Sequence, residues 1–310
     1  MTARLDVSVL ICTRDRSAML EDCLTSVLGG SAMPMEVVVV DQSRDDASLL
    51  VVQRKRGGAV PVHHVRGLGT GLSRARNQGV AACTAPVIAF TDDDCRADPR
   101  WMESLTGSIR AGRAEAAVGR TRPEAGTSGE QETFSAYVPK GRPVFSRRTH
   151  PWRLGGGGNF AASRHALDQA GPFDERFGPG APLQSAEDMD MIHRLLRAGE
   201  RIVYEPDAVV WHRSWRSEAQ NRILSRAYGV GAGGYFVKYL LAGDWLSGWR
   251  FVARVGIRTV HMLRAVLTWD LRGAAEQAVY VAGLFQGGLR LLRTPVRPAA
   301  GLTGLERGAA

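Results

Sequence analysis

Hydrophobic and polar positions alternate along the first 210 residues in blocks that suit strands and helices in turn. Residues 7–12 (VSVLIC) are almost continuously apolar, which predicts a strand buried on both faces. Residues 17–30 place three leucines four residues apart, between a serine start and a glycine stop, which predicts a helix. Residues 36–41 (EVVVVD) predict a second strand. The chain therefore opens with a β-α-β unit.

The same alternation leads to an acidic triplet. Residues 59–65 predict a short strand, residues 71–83 a helix, and residues 85–90 (APVIAF) another buried strand. Because the strands look buried on both faces, we predict an α/β fold with a mostly parallel sheet flanked by helices. The triplet of Asp92, Asp93 and Asp94 then lies at the carboxyl end of a strand, which is where open α/β sheets bind ligands.

Beyond residue 215 the pattern becomes helical and basic. Arg250, Arg254 and Arg258 repeat every four residues, while apolar side chains mark another face, which predicts a basic amphipathic helix. We expect one domain over residues 1–215 and a basic helical region over residues 216–310. Two interpretations of that region stay open: its helices pack on the first domain with a charged face exposed, or they lie on a membrane surface.

Charge and cysteine content indicate the cellular compartment in which the protein is expected. Residues 211–310 hold 14 Lys and Arg against five Asp and Glu, which accounts for the whole formal net charge of +9. The four cysteines have no C-x-x-C spacing, which favours a reducing compartment over a disulfide framework or a zinc site. We see neither a signal peptide nor an apolar run long enough to span a bilayer. We therefore expect a cytoplasmic protein, with peripheral contact at the inner face of the membrane as a further option.

The phosphate-binding loops of common nucleotide enzymes are absent from the sequence. TRDRS follows the first strand in place of G-x-G-x-x-G, and there is no G-x-x-x-x-G-K-[ST], which argues against NAD enzymes and P-loop ATPases. Acids stand at strand ends instead, at Asp41 and in the triplet. Carboxylates suit ribose hydroxyls and a hard divalent cation, both of which a nucleoside diphosphate brings.

Six segments in this order resemble family 2 glycosyltransferases with the GT-A fold, a nucleotide-sugar-binding sheet flanked by helices. They are VSVLICTRDR, VVVVDQSRDD, GLSRARNQGV, FTDDDC, GGGGNFAASRHALDQAGPFDERFG and SAEDMDMIHRLLRAGERIVYEPDAVVWH. The resemblance covers roughly residues 5–215. It implies transfer of a sugar from a nucleotide diphosphate donor to an acceptor hydroxyl, with Mn²⁺ or Mg²⁺ and inversion at the anomeric carbon.

The resemblance assigns the strand-end residues to the donor and its metal. Asp41 is expected near the base and ribose, Asp92 near the ribose and Asp94 on the metal, with Asp93 as second choice for either role. His212 is expected to complete the metal shell or to touch the diphosphate. The structural alternatives are a turn cap for Asp41, a solvated acidic loop for the triplet and a purely structural histidine.

The resemblance also implies a general base in SAEDMD. Asp188 matches that position best and Glu187 second, at the start of a predicted helix. The base would take the proton of the acceptor hydroxyl as the hydroxyl attacks. The alternative is a capping box, in which Ser185 and Asp188 only satisfy the helix start.

The remaining donor residues come from three loops or helix starts. Thr13, Arg14 and Arg16 follow the first strand, and Arg14 stands where many family members carry an aromatic residue, so the nucleotide base is not readable. Arg76 is expected to reach a phosphate, unless it is an exposed helix arginine. Asn159 follows a glycine run that is either a wall of the donor and acceptor pocket or a flexible linker.

Two other classes share some of these features. A sugar-phosphate nucleotidylyltransferase would have the sheet and the acids, but it should carry a Gly-rich, Lys-containing loop where this chain has CTRDRS. A nucleic-acid-binding protein would explain the basic region and its tryptophans, yet acids at strand ends repel a phosphate backbone. We therefore expect no nucleic acid partner.

Overall fold

The computed structural model describes residues 3–124, 139, 141–147, 149–213 and 218–295. Within these residues one sheet of nine strands runs in the order β3-β2-β1-β4-β8-β6-β9-β5, and β7 pairs with β9. The strands are β1 (Ala3–Thr13), β2 (Ala32–Asp41), β3 (Val62–Arg66), β4 (Val87–Asp92), β5 (Cys95–Ala97), β6 (Ala116–Pro123), β7 (Val144–Phe145), β8 (Asn159–Ser163) and β9 (Ile202–His212). The helices are α1 (Ser17–Leu28), α2 (Ala47–Lys55), α3 (Leu72–Ala82), α4 (Trp101–Arg110), α5 (Arg164–Ala170), α6 (Glu187–Ala198), α7 (Glu218–Leu241), α8 (Trp245–Leu267) and α9 (Leu271–Arg293).

The predicted α/β fold class is confirmed. The half of the sheet from β3 to β4 is parallel, whereas β8 runs antiparallel to both β4 and β6. The parallel register pairs Thr13 with Asp41 and Cys12 with Asp92. The carboxyl ends of β1, β2 and β4 therefore meet at one edge, as the sequence predicted for its acids.

A short antiparallel pairing brings a distant histidine to that edge. After β4 the chain turns and forms β5, whose Cys95 pairs with His212 at the end of β9. This pairing puts the end of β9 beside the acidic triplet. Residues more than a hundred positions apart in the sequence thereby become neighbours.

The sheet is covered on both faces. Helices α1, α2 and α4 pack on one face, with Leu20 and Trp101 among the buried side chains. The other face carries α3, α5, α6, α7 and α9, and residues such as Leu195, Tyr235 and Leu284 share its core. Both layers exclude water from the strands, which explains their almost uniformly apolar sequences.

Helices α7 and α9 approach each other closely because glycines line their contact. A Cβ atom built at Gly233 of α7 would overlap Leu284 O of α9, and one at Gly287 of α9 would overlap Val230 O of α7. Only a residue without a side chain permits this spacing. The two helices are thus held close together along these glycines.

The C-terminal region differs from its prediction in one respect. The arginine stripe of α8 is turned toward the protein: the Arg258 guanidinium lies 4.2 Å from the centre of the Tyr280 ring, and Arg254 lies 5.6 Å from that of Trp152. The interpretation in which this helix exposes its charged face is therefore not supported at Arg254 and Arg258, while the membrane-surface interpretation stays a prediction. The predicted domain boundary at residue 215 lies outside the described residues, so the division into two domains stays a prediction.

No helix in the described parts of the chain combines the length and the apolar character that crossing a bilayer requires.

Candidate active site

Two of the three clustered acids share one arginine. Asp93 is fully buried, and its Oδ1 lies 2.7 Å from Nη2 of Arg16, while Asp94 Oδ2 lies 3.0 Å from Nη1 of the same guanidinium. Thr13, at the end of β1, donates from its hydroxyl to Asp93 Oδ2 at 2.7 Å. Arg16 thus offsets the repulsion between neighbouring carboxylates, and the predicted donor residues Thr13 and Arg16 do lie beside the triplet.

Arg76 joins the acidic triplet to the second acidic motif. It lies in α3 and is almost fully buried, with Nη2 3.4 Å from Asp92 Oδ1 and Nη1 3.2 Å from Glu187 Oε1. Its guanidinium also lies 5.5 Å from the centre of the Phe173 ring. The interpretation as an exposed helix arginine is therefore wrong, because a buried cation holds one carboxylate from each motif.

Burial decides the protonation of the inner carboxyls. Loss of hydration raises the pKa of Asp93 to about 7, although Arg16 and Thr13 act in the opposite direction. Burial, followed by the neighbouring Asp188 charge, raises the pKa of Glu187 to about 7. Burial also raises the pKa of Asp92. Carboxyl groups whose pKa values lie near neutrality cluster at functional sites, which supports a functional role for this edge of the sheet.

Asp188 makes contacts other than those of a capping box. Its Oδ2 accepts a hydrogen bond from the backbone N–H of Gly157 at 2.8 Å, and its Oδ1 accepts from the N–H of Met189 at 2.8 Å. Ser185 instead donates to the carbonyl of Ala227, and the helix is preceded by Ala186 in the left-handed region. The capping-box alternative is therefore wrong, and Asp188 holds the glycine loop.

The glycine run is packed against both acidic motifs. A Cβ atom at Gly157 would lie 2.8 Å from Asp188 Cβ and 2.9 Å from Arg76 Nη1, and a Cβ atom at Gly158 would overlap Asp92 Oδ2. A side chain at either position would therefore force the neighbouring charged groups or the loop to move. The flexible-linker alternative for this run is wrong, since the loop is seated on charged groups.

The positions of Asp94 and His212 bear on the prediction that these two residues bind one metal ion. Asp94 Oδ1 and His212 Nε2 lie 3.5 Å apart, and both side chains are buried. Two ligands of one octahedral ion are about 3 Å apart, so this pair fits a shared divalent cation with little movement. The described residues contain no group of three or more His, Cys, Asp or Glu side chains arranged around one metal position. These two residues would therefore need further ligands from the donor or from water.

Asp41 is brought to the same edge of the sheet but is occupied by structural partners. Its carboxylate is fully buried; Oδ1 accepts from the N–H of Ser43 at 2.8 Å, and Oδ2 lies 3.0 Å from His64 Nε2. The turn-cap contact is thus present. Contact between Asp41 and a nucleotide stays a prediction.

The side chains of Asn159 and Arg14 contact partners other than the acidic triplet. Asn159 accepts from the indole N–H of Trp101 at 2.9 Å and donates to the carbonyls of Arg120 and Ala208, so its amide is used inside the fold. This placement does not support the predicted contact of Asn159 with a donor. Arg14 is half-exposed, with its Nε 3.8 Å from Asp15.

Comparison with known proteins identifies the family. A family model described as Glycosyl transferase family 2 matches residues 8–170, which is more than half of the chain. The chain belongs to glycosyl transferase family 2. The resemblance carried by the six sequence segments is thereby confirmed. The comparison gives no support to a nucleotidylyltransferase or to a nucleic-acid-binding protein.

Relatives of this family 2 chain include enzymes of quite different systems. A pre-mycofactocin glycosyltransferase of Mycobacterium tuberculosis is 29% identical over 287 residues, which cover 85% of this chain and 56% of that protein. A glucosyl-dolichyl phosphate glucuronosyltransferase of Haloferax volcanii is 26% identical over 217 residues, which cover 67% of this chain and 69% of that protein. The chain thus spans little more than half the length of the mycobacterial relative.

Solved glycosyltransferases share the fold of the chain. The mannosyltransferase PcManGT from Pyrobaculum calidifontis, in complex with GDP-Man and Mn²⁺, has a TM-score of 0.61 at 17% identity, covering 92% of this chain and 88% of that one. S. aureus TarS 1-349 in complex with UDP-GlcNAc has a TM-score of 0.54 at 15% identity, covering 91% of each chain. The expected GT-A fold is confirmed.

Two supporting residues were not identified from the sequence of this family 2 member. His64 pairs with Asp41. This contact follows from the pairing of β2 with β3, in which His64 lies opposite Val39, two residues before Asp41. Asp190 is fully buried and binds Arg194, four residues on, as well as Lys238 of α7. The i, i+4 spacing of Asp190 and Arg194 was the available signal.

Proposed function

We propose that this chain is a metal-dependent, inverting glycosyltransferase that moves a sugar from a nucleoside diphosphate to an acceptor hydroxyl in glycoconjugate synthesis. One observation carries the proposal: Arg76 binds Asp92 of the triplet and Glu187 of the second motif. A donor-binding acid and an acid beside the candidate base therefore belong to one site. Family membership supports the reaction class.

The donor side is assigned to the edge formed by β1 and β4. Thr13, Arg16 and Asp92 supply a hydroxyl, a cation and a partly exposed carboxylate within one cluster. Such groups suit ribose hydroxyls and a diphosphate. Two solved glycosyltransferases of this fold are complexes with GDP-Man and UDP-GlcNAc, which supports a nucleotide sugar as donor and leaves its base and sugar open.

The metal is assigned to Asp94 and His212. A divalent cation at this position would neutralise the diphosphate and stabilise it as a leaving group. Mg²⁺ prefers oxygen ligands throughout, whereas an imidazole nitrogen suits transition metals, so the donor pair favours Mn²⁺ over Mg²⁺. The Mn²⁺ named for PcManGT supports the same choice.

Asp188 is assigned as the general base. A base must lie where the acceptor hydroxyl can reach it, and Asp188 is partly exposed, whereas Glu187 is buried with Oε1 directed at Arg76. Asp188 takes the hydroxyl proton while the acceptor oxygen bonds to the anomeric carbon and the bond to the diphosphate breaks. Gly157 fixes the orientation of this carboxylate through its N–H.

Several classes of acceptor are compatible with the proposed reaction. A glycan, a lipid-linked sugar and a small molecule all present a hydroxyl, and the Haloferax volcanii relative is named for a dolichyl phosphate-linked sugar. Cytoplasmic location with peripheral membrane contact remains a proposal, and the contact has separate support from the surface of α8.

A panel of sugar nucleotides, screened by thermal shift with and without Mn²⁺, tests the proposal. We expect at least one sugar nucleotide to raise the melting temperature in Mn²⁺ and to lose most of that effect in EDTA. If no sugar nucleotide shifts the melting temperature with any divalent cation, the assigned function is wrong.

A further inference from the structure

Helix α8 carries an apolar face that points away from the rest of the protein. Trp249, Val252, Val260, Leu263 and Leu267 recur at helical spacing on one side, and their exposed fractions lie between 47% and 79%. We refer to these five residues as the outer face of α8. Isolated apolar residues are common on protein surfaces, but a row of five along one helix marks an interaction surface.

The side of the same helix that faces the protein carries both arginines and apolar residues. Besides its contact with the Tyr280 ring, Arg258 donates from Nη1 to Gln277 Oε1 at 3.0 Å. Phe251 contacts Phe236 of α7, with ring centres 6.2 Å apart. A surface helix in water normally buries its apolar stripe and exposes its charges. Helix α8 packs Phe251 and Val255 against the core but leaves a second apolar stripe uncovered, and folding of the chain does not explain that exposure.

The charge around this face selects its partner. Residues 245–293, which contain α8 and α9, hold seven arginines against one aspartate and one glutamate, and although Arg254 and Arg258 face inward, Arg264, Arg272 and Arg293 are exposed. Two copies of this chain meeting through the face would bring two surfaces of like charge together, which costs free energy. A bilayer with anionic lipids offers opposite charge and an apolar interior at once.

Tryptophans stand at both ends of the face. Trp245 begins α8 with 79% of its surface exposed, and Trp269 follows the helix with 86% exposed. Tryptophan favours the boundary between headgroups and acyl chains because its ring is apolar and its N–H remains hydrated. The row between them is therefore bounded by side chains that favour the depth at which an in-plane helix lies.

We propose that the outer face of α8 docks on the surface of an anionic phospholipid bilayer, with the helix lying in the plane of the interface. Leu263 and Trp249 enter the acyl boundary, and exposed arginines such as Arg264 remain near the headgroups. The contact is apolar at its centre and basic at its rim. It goes beyond the proposed transfer reaction and does not depend on that reaction.

The docking helix is connected to the candidate base. Lys238, near the end of α7, binds Asp190 of α6, and α6 begins at Glu187 and Asp188. Helix α7, which leads into α8, is thereby fixed to the helix that carries the candidate base.

Co-sedimentation of the full chain with vesicles tests the proposal. We expect binding to vesicles of phosphatidylcholine with phosphatidylglycerol, and a loss of roughly tenfold or more in apparent affinity for the double variant Trp249→Ser/Leu263→Ser. The matched control is Leu50→Ser/Leu68→Ser, which removes two exposed apolar residues, 53% and 64% exposed, elsewhere on the chain. Because all four residues are exposed, both variants should keep the melting temperature of the parent, and Trp249→Ser alone serves if the double variant does not fold.

Three results would overturn the proposal. The first is no binding of the parent chain to these vesicles. The second is equal binding by the parent and the Trp249→Ser/Leu263→Ser variant, which would leave the arginines as the whole contact. The third is a parent chain that is dimeric by light scattering and becomes monomeric in that variant, which would assign the face to a second copy.

Discussion

The carboxylate of Asp188 accepts a hydrogen bond from the backbone N–H of Gly157, with Oδ2 and N 2.8 Å apart. This bond fixes the glycine run to the acidic pair at the start of α6. One residue later, Gly158 lies against Asp92 of the other acidic motif. The loop therefore depends on both motifs at once, and changes in the loop should be felt at the donor site.

Gly158→Ala should weaken donor binding while leaving stability almost unchanged. The added methyl group overlaps Asp92 Oδ2, so either the loop or the carboxylate must move. We expect sugar-nucleotide affinity to fall about tenfold, measured by calorimetry in Mn²⁺. Gly107→Ala in α4 is the control, because its Cβ meets no atom within 4 Å. Equal donor affinity in both variants would contradict the placement of Asp92 at the donor.

Arg76→Met should destabilise the fold because it leaves two carboxylates without their shared cation. Removing one partner of a buried pair typically costs about 3–5 kcal/mol of unfolding free energy. The control is Arg74→Met on the same helix, whose partly exposed pair with Glu175 should be worth about 1 kcal/mol or less. Chemical denaturation measures both. Similar losses in the two variants would mean that Arg76 does not bridge the motifs.

Glu187 should make stability depend on pH. Burial and the Asp188 charge raise its folded-state pKa from 4.5 to about 7, so the folded protein holds this proton more tightly than the unfolded chain does. The stabilisation is complete below the unfolded pKa and is lost as the pH rises through the folded pKa. The melting temperature of the parent should therefore fall relative to that of Glu187→Gln as the pH rises from about 5 to about 8. If the melting temperatures of the two proteins, measured in EDTA, change equally with pH, the raised pKa of Glu187 is contradicted.

Asp94→Asn should abolish the effect of Mn²⁺ on donor binding. Asparagine keeps the size of the side chain but removes the charge that pairs with a cation, so affinity in Mn²⁺ should fall about tenfold or more. Asp22→Asn, an exposed acid on α1, is the matched control. Titration of a sugar nucleotide with and without EDTA gives the comparison. Undiminished Mn²⁺ dependence in Asp94→Asn would place the metal elsewhere.

The sequence predicted those features that follow from local pattern and from sheet topology. Buried strands are recognisable by their apolar runs, and acids after parallel strands must share an edge, so Asp41 and Asp92 were correctly brought together. The proximity of Asp94 to His212 does not follow from the parallel strands. It depends on the three-residue strand β5, which is too short to give a periodic signal.

Hydrophobic periodicity could not predict other contacts, because those contacts join elements that lie far apart in the sequence. The pattern of α3 gives no indication that Arg76 is buried between two acids, since that burial comes from Glu187, more than a hundred residues later. Similarly, periodicity separated the faces of α8 but could not say which face meets the protein. Arg258 turned inward because Tyr280 of α9 offers its ring there. The partners of Asn159 were not predicted for the same reason, as they lie on β6, α4 and β9.

Turnover of the donor by Asp188→Asn tests the central claim most directly. Asparagine can still accept a hydrogen bond from Gly157, so folding and donor affinity should remain close to those of the parent. It cannot take a proton, so release of nucleoside diphosphate in Mn²⁺ should fall by about 10² to 10⁴. Glu187→Gln, which keeps the candidate base, should lose less. Near-parental turnover by Asp188→Asn with an inactive Glu187→Gln would move the base to Glu187, and full activity of both variants would contradict the proposed mechanism.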